Sequence, residues 1–279
     1  MSIKSILVHV DSSRHAAQRM AIAARLAVEE NAHLIGSAMT GISRYYNWDG
    51  DHGIAEPTVA NFVDACKDHA KKALIEFEAI TKSYGVLSCE SRLIDDDPES
   101  GLVLQARYSD LVIVSQADRE DPRSRAFVDL PEFVMLNSTR PVLVIPYAGK
   151  FENTGTNVIV AWDGSMEATR AITNSMTLLR KANRVTVVVF NASQNFDMHG
   201  DQPGADIALY MARHGVRVEV LQQTTQLDIG NALLSLAADM NVDQIVMGGF
   251  AHARFREMLV GGVTATILRT TTVPVILSH

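Results

Sequence analysis

The stretch Gln244-Ile245-Val246-Met247-Gly248-Gly249-Phe250-Ala251 joins an apolar run to two glycines, and Gly261-Gly262-Val263-Thr264 follows after a loop that contains arginines. The apolar run is typical of a buried strand. Residues 264–268 predict a helix, since Val263 and Ile267 lie one turn apart on one face. A strand, glycines and a helix N-terminus in this order bring backbone N–H groups close to a phosphate. We therefore expect a small anionic ligand, if the chain binds one, at this turn.

Length and composition bound the class of protein. The chain has 279 residues, of which 47% are hydrophobic and 20% charged, with a net charge of −7. This length allows one large domain or two ordinary ones, and the apolar content is enough for real cores. The negative charge argues against a nucleic-acid-binding surface. No run approaches the ~18 apolar residues of a membrane span. We expect neither nucleic acid nor membrane as a partner.

Cysteine content and the N-terminus both predict a cytoplasmic protein. Met1-Ser2-Ile3-Lys4-Ser5 leads directly into a strand-like run, so no signal peptide is expected. Cys66 and Cys89 are the two cysteines of the chain and form no C-x-x-C pair. This pattern favours a reducing compartment without a disulfide framework.

The sequence repeats its own plan. An apolar run ends in Asp11-Ser12-Ser13, and another ends in Asp163-Gly164-Ser165, 152 residues later. Later segments repeat at an offset of 133, as in Pro141 and Pro274. Two copies of this size predict two domains, residues 1–147 and 156–279, joined by a polar linker. The extra length of the first copy is expected mainly near the turn-rich residues 45–51.

Short Val/Ile/Leu runs alternate with helical patterns in both copies, which predicts parallel sheets covered on both faces. A proline opens the last strand of each copy, where a missing N–H is tolerated. The helices are predicted at residues 16–28, 60–84, 166–179, 206–214 and 229–239.

Three motifs resemble those of one known family. Ala161-Trp162-Asp163-Gly164-Ser165 is similar to the opening motif of universal stress proteins, and residues 272–276 resemble their closing strand. The family's phosphate motif is a glycine, two residues, a glycine, nine residues, then Gly-Ser or Gly-Thr. Gly248, Ala251 and Gly261-Gly262 reproduce that spacing. The chain resembles a tandem member of the universal stress protein family, once per half.

The resemblance implies two doubly wound α/β domains in tandem, each with a mainly parallel five-stranded sheet of the adenine nucleotide alpha hydrolase-like type in the strand order 3-2-1-4-5. It also implies that the halves form an intramolecular pseudo-dimer through their last strands, residues 142–145 and 275–277, which would cover two apolar sheet edges. Whether the tandem chain pairs again as a homodimer stays open.

The resemblance further implies a ligand, ATP or a related adenine nucleotide with Mg²⁺, that regulates a stress response. The implied nucleotide-binding residues lie in the second copy, and they include no catalytic residue and no metal ligand. They are Ala161, Trp162, Asp163, Met247, Gly248, Ala251, Gly261, Gly262, Val263 and Thr264.

Two positions of the second copy depart from the family's motif. Ala251 replaces the second glycine, and Gly262 replaces a hydroxyl residue. Gly262 keeps its N–H and allows close approach, so the lost hydroxyl would cost roughly 0.5–1.5 kcal/mol of binding. The first copy has lost the motif, since Asp118 and Asp129 stand in the matching segments and would repel a polyphosphate. We expect the first copy not to bind.

Several residues have a second interpretation. Asp163 could contact the ligand or could cap the following helix, as Asp11 would in the first copy. His252, Arg254 and Arg256 could reach a phosphate or form a solvated loop. Thr264 is a candidate substitute hydroxyl donor.

Metal-binding and catalytic motifs are missing from the sequence. Residues 95–97 are acidic but lack EF-hand spacing, and the histidines show no metal spacing. There is no Walker A, G-x-G-x-x-G or G-x-S-x-G motif. Because the phosphate motif is altered in both copies, at Ala251 and Gly262 in the second, the alternative is a stress protein that binds no nucleotide and acts through protein partners. A slow ATPase ranks last, because the sequence places no general base near the loop other than Asp163 and His252.

Overall fold

The computed structural model describes residues 2–42, 56–123, 128–152, 154–192, 202–250 and 262–279, and it gives the backbone alone for 56–60. The chain divides into two compact units, Ile3–Val134 and Met135–His279. Alternating strands and helices fill both units, as the sequence predicts. Helix α4 (Leu130–Asn137) begins in the first unit and ends in the second.

The first unit contains a parallel sheet in the strand order β3-β2-β1-β4. This arrangement confirms the predicted doubly wound order over its first four strands. The elements are β1 (Ser5–His9), α1 (Ala16–Glu30), β2 (His33–Met39), α2 (Glu56–Ser83), β3 (Cys89–Ile94), α3 (Pro98–Ala106) and β4 (Leu111–Ser115).

The second unit contains the strand order β5-β10-β9-β6-β7-β8, in which β5 runs antiparallel to its neighbour and the others are parallel. The second copy therefore shows the full order 3-2-1-4-5, which confirms the prediction. The elements are β5 (Val142–Ile145), β6 (Asn157–Ala161), α5 (Met166–Lys181), β7 (Arg184–Phe190), α6 (Ala205–Arg213), β8 (Val218–Gln223), α7 (Ile229–Asp239), β9 (Gln244–Gly248), α8 (Val263–Thr270) and β10 (Val275–Ser278).

The last strands of the two copies pair with each other, as predicted. Leu143 of β5 lies opposite Ile276 of β10, and the pairing is antiparallel. These two residues are equivalent under the 133-residue offset, so the pairing is symmetric under exchange of the copies. By sequence β5 ends the first copy, but in the division of the chain into compact units it falls in the second. The domain limits 1–147 and 156–279 stay a prediction based on the repeat.

The structure reproduces the repeat at residue level. Strand β6 has the bounds of β1 shifted by 152, and β9 and β10 have those of β4 and β5 shifted by 133. The copies differ between their second and third strands, where α2 has 28 residues and α6 has 9. Much of the extra length is thus helical, while residues 45–51 lie outside the described residues.

Burial explains why the strands read as continuous apolar runs. The side chains of Ile6, Leu7 and Val8 in β1 are fully buried, as expected for a central parallel strand with helices on both faces. Gly36 of β2 packs directly against the ring of Phe77 in α2. A Cβ at position 36 would come within 2.4 Å of that ring. Covered on both faces, the sheets leave the ends of their strands for binding.

Candidate functional site

The carboxyl ends of β6 and β9 form the topological switch point of the second copy. These central strands are parallel neighbours, and Ala161 pairs with Met247 near their ends. In open α/β sheets ligands bind in the crevice outside such a point. The structure therefore brings Ala161, Met247 and Gly248 together, as the sequence predicted.

The turn after β6 is shaped by Asp163, although this residue does not cap the helix. Asp163 is exposed, and its Oδ1 accepts a hydrogen bond from the Ser165 N–H at 3.0 Å. Ser165 is the cap of α5, since its Oγ accepts from the Ala168 N–H at 3.1 Å. The interpretation of Asp163 as an N-cap is therefore wrong. Between them Gly164 has a φ of +79°, which glycine adopts without strain.

Trp162 enters the same turn through its backbone. Its N–H donates to the carbonyl of Val188 in β7 at 3.0 Å, which extends the sheet by one bond past the end of β6. The Trp162 side chain is half-buried. Trp162 and Asp163 therefore follow directly from the strand edge, at the mouth of the crevice.

The two glycines that end β9 leave no room for a side chain. A Cβ at Gly248 would lie 2.5 Å from the Ala168 nitrogen and 2.8 Å from the Glu167 carbonyl carbon, both of which are backbone atoms. A Cβ at Gly249 would lie 2.2 Å from Sδ of Met135. The strand end thus lies directly against the first turn of α5. Ala251 and Gly261, the next motif positions, lie outside the described residues.

Helix α8 begins at the second glycine element. Gly262 is its N-cap and forms no side-chain capping bond, and a Cβ there would meet no atom of the described residues within 4 Å. The backbone N–H groups of a helix's first turn lack intrahelical partners and carry partial positive charge. Gly262 and Val263 therefore offer backbone amides at the position where the motif predicts a phosphate.

Thr264 has a structural contact in this arrangement. Its side chain is buried, and its Oγ1 accepts the N–H of Phe250 at 3.1 Å. Phe250 has a φ of +51°, unusual for a residue with a side chain. The threonine thus ties the start of the loop to α8.

Two contacts at the glycine turn escaped sequence reasoning. The Gly249 N–H donates to the Ser278 carbonyl at 2.9 Å, and Nδ1 of His279 lies 2.9 Å from the Gly249 carbonyl oxygen. Met135 supports the same turn from α4. Each contact joins residues at least 29 positions apart, and no local motif marks such a pair.

The equivalent switch point of the first copy is crossed by a buried arginine. Arg19 of α1 is 1% exposed. Its Nε donates to the His9 carbonyl and its Nη1 to Ser115 Oγ, both at 2.7 Å, while its Nη2 lies 3.0 Å from Asp11 Oδ1. The ends of β1 and β4 are therefore joined through one guanidinium group. The sequence signal for this link is Arg19 itself, a charged residue within an alanine-rich helix.

The charges of this network are fixed by their surroundings. Burial lowers the pKa of His9 from 6.5 to about 4, and nearby Arg19 adds to this effect while Asp11 opposes it. Burial alone would raise the pKa of Asp11, but the Arg19 guanidinium and hydrogen bonds from Ser13 hold it well below its ordinary value. At neutral pH the carboxylate of Asp11 is ionised and His9 is neutral.

The second copy has small residues at three positions of this network and keeps the aspartate at the fourth. Ala161, Ala171 and Gly248 are the equivalents of His9, Arg19 and Ser115. No salt bridge is found for Asp163 within the described part of the chain, whereas its equivalent Asp11 lies against Arg19. The two copies thus share a backbone but not a site.

Within residues that the structure describes, no group of three or more His, Cys, Asp or Glu side chains could hold a metal ion. Likewise, none of the described helices is both long and apolar enough to cross a membrane.

Comparison with known proteins agrees with the sequence motifs. Residues 155–279 match the model of the universal stress protein family. A universal stress protein of Synechocystis is 27% identical over 147 residues, which is 52% of this chain and 49% of that protein, so the match spans about half the relative's length.

Solved structures extend the likeness in fold to the whole chain. A universal stress protein from Archaeoglobus fulgidus aligns over 98% of this chain and 97% of its own, with a TM-score of 0.73 and 16% identity. A protein of unknown function from Pseudomonas aeruginosa aligns over 99% and 92%, with a TM-score of 0.58 and 13% identity. Residues 155–279 therefore match the universal stress protein family, and the chain as a whole has the fold of a solved universal stress protein.

Proposed function

We propose that this chain binds one adenine nucleotide, ATP or a close relative, at the switch point of the second copy, and that the nucleotide acts as a regulatory ligand in a stress response. The observation that carries the proposal is the exchange of His9, Arg19 and Ser115 for Ala161, Ala171 and Gly248. Small residues replace a buried network at the edge where doubly wound folds bind ligands.

Backbone geometry supports an anionic ligand at this edge. The first turn of α8 has no side-chain cap, and among the described residues no atom lies within 4 Å of a Cβ placed on Gly262. An anion is stabilised at a helix N-terminus by free N–H groups and by the helix dipole. A phosphate would thus be held mainly by backbone amides of Gly262 and Val263.

The sequence of the loop after β9 also supports a negative ligand. It carries two arginines, one histidine and one acidic residue (His252, Arg254, Arg256 and Glu257), whereas residues 116–129 of the first copy carry three arginines and four acidic residues, including Asp118, Glu120 and Asp121. Cationic side chains attract phosphate oxygens, and carboxylates repel them. Mg²⁺ would enter with the nucleotide, because this ion commonly keeps its waters and binds phosphates in preference to an all-protein cage.

Isothermal titration with ATP and Mg²⁺ tests the proposal with a matched pair of variants. Gly262→Asp introduces the residue that the first copy has at Asp129, and Asp129→Gly makes the reverse exchange. Gly262→Asp is expected to fold, because no atom of the described residues lies within 4 Å of this Cβ and aspartate is a favoured N-cap. We expect binding by the wild type and by Asp129→Gly, and none by Gly262→Asp. Silence of the wild type at tens of micromolar protein would refute the proposal.

The second candidate is a stress protein that binds no nucleotide and acts through protein partners. It is favoured by the two departures from the family's motif, Ala251 and Gly262. Mass spectrometry of ligand released from freshly purified protein separates the candidates, since a stoichiometric adenine nucleotide would exclude this one. A slow ATPase ranks below both and would require multiple turnover that Asp163→Ala abolishes.

A further inference from the structure

Gly249, the residue after β9, is held from three directions. Its N–H donates to the Ser278 carbonyl at 2.9 Å, and its carbonyl oxygen lies 2.9 Å from Nδ1 of His279. On a third side Met135 fills the space of a side chain, because a Cβ on Gly249 would lie 2.2 Å from Sδ of Met135 and 3.0 Å from its Cε. The Gly249 amide is therefore already bonded within the protein, and a phosphate must be held by other amides.

The amides at the start of α8 are tied to Gly249 by one residue and one hydrogen bond. Phe250 follows Gly249, and its N–H donates to Oγ1 of Thr264 at 3.1 Å. Thr264 is buried and is the second residue of α8, directly after Gly262 and Val263. The position of Gly249 is thereby linked to that of the first turn of α8, where the free N–H groups lie.

Met135 comes from the end of the first copy in sequence, although it lies in the same compact unit as Gly249. It is 1% exposed and belongs to α4, whose bounds are those of α8 shifted by 133 residues. At the position equivalent to Gly249 the first copy has Gln116, which brings a side chain of its own. Support of this kind thus runs in one direction, from a helix of the first copy to the turn of the second.

We propose that Met135 is a positioning residue for the nucleotide site of the second copy, so that the affinity of this site depends on a helix of the first copy. This role rests on the nucleotide binding proposed above. Met135 is too buried to touch a ligand itself, and it acts by holding Gly249 and the end of β9 in place. Methionine fills irregular gaps well, and its truncation would leave a void into which the turn can move.

Titration calorimetry of the full chain with ATP and Mg²⁺ tests this role. Met135→Ala should weaken binding by about 3- to 30-fold, the effect that residues without ligand contact have when they are coupled to a site. Met135→Leu conserves the volume of the side chain and should bind within about 2-fold of the wild type.

The matched control is Met211→Ala, which truncates another fully buried methionine, in α6. It should lower the midpoint of thermal unfolding, as Met135→Ala does, because both truncations leave a cavity. Its affinity for ATP at room temperature should stay within about 2-fold of the wild type, since a destabilised chain that remains folded keeps its site.

Gly249→Ala tests the same contact from the opposite side and keeps the test decisive should Met135→Ala fail to fold. Gly249 lies outside the left-handed region, so an added methyl group is opposed by the Met135 side chain and not by the backbone conformation. We expect Gly249→Ala to weaken ATP binding by about 3- to 30-fold. Adding Met135→Ala should recover most of this loss, because the methyl group enters the vacated space.

The outcomes separate the two proposals. Silence of the wild-type chain would refute nucleotide binding, and the role of Met135 with it. Binding that Met135→Ala leaves unchanged, or that Met211→Ala weakens equally, would overturn the role of Met135 alone. The role is also overturned if the double variant binds no better than Gly249→Ala.

Discussion

At the end of its first strand the first copy has His9, with Arg19 and Ser115 beside it, whereas the second copy has Ala161, Ala171 and Gly248 at the same positions. In the first copy a guanidinium group with 1% exposure bonds both central strands. In the second, the strand end lies against the backbone of α5 without a side chain between them. The same fold therefore carries a buried charged network at the strand ends of the first copy and closely packed backbone at those of the second.

The first copy has lost the glycine motif, and at the same strand ends it has gained a buried polar network. Ser115 stands in place of Gly248, and its hydroxyl is one of the acceptors of Arg19. Once the backbone cradle is gone, buried polar groups need partners within the protein, because unpaired ones cost free energy. The network of Arg19, Asp11 and Ser115 supplies them.

The largest expected effect comes from Arg19→Ala. Removing a buried guanidinium leaves Asp11 without its cation, and breaking such a pair costs about 3–5 kcal/mol of unfolding free energy. Urea denaturation measures the loss. The control is Arg170→Ala in the second copy, a half-exposed arginine 3.7 Å from Glu167, for which we expect at most about 0.5 kcal/mol. Comparable losses in the two variants would show that Arg19 does not hold the first copy together.

The next effect tests whether the strand end of the second copy tolerates a side chain. Gly248→Ala places a methyl group 2.5 Å from the Ala168 nitrogen, and because backbone cannot move aside cheaply we expect a loss of about 2–3 kcal/mol. Gly262→Ala meets open space and should change the unfolding free energy by less than about 0.5 kcal/mol. Equal effects on thermal unfolding would contradict the close approach at Gly248.

Acid should destabilise the first copy through His9. The folded pKa of about 4 lies below the ordinary 6.5, so the unfolded chain binds the proton first and stability falls as pH drops from about 6.5 to about 4. Between pH 7 and pH 5 the loss attributable to His9 is about 2 kcal/mol. Urea denaturation at both pH values should show a shallower pH dependence for His9→Gln. An unaltered slope in that variant would mean that His9 is not buried in its neutral form.

The smallest expected effect restores the hydroxyl of the family's motif in the second copy. Gly262→Ser should tighten ATP binding about 2- to 10-fold, as expected for one added hydrogen bond to a phosphate oxygen. The serine side chain is accommodated by the described residues, none of which has an atom within 4 Å of the new Cβ. Titration calorimetry compares this variant with Gly262→Ala, which lacks the hydroxyl. Weaker binding by the serine variant alone would argue against a phosphate at this helix start.

The strands of the second copy could be predicted because they repeat those of the first at fixed sequence offsets. The helices could be predicted from the spacing of their apolar residues. Helix α7 has the predicted bounds, and α8 begins one residue before the predicted run. The network around Arg19 could not be predicted, since it joins residues 9, 19 and 115, which approach each other only in the folded sheet. For a related reason the sequence left open whether Asp163 caps the helix or contacts a ligand, and the cap is not formed. Asp-Gly-Ser offers two capping side chains, and the turn geometry selects Ser165.

Counting bound nucleotides by native mass spectrometry tests most directly whether the second copy binds a nucleotide and the first does not. With excess ATP and Mg²⁺ we predict one nucleotide per wild-type chain and none per Gly262→Asp chain. Two nucleotides per wild-type chain, or one retained by Gly262→Asp, would contradict the assignment of a single site to the second copy.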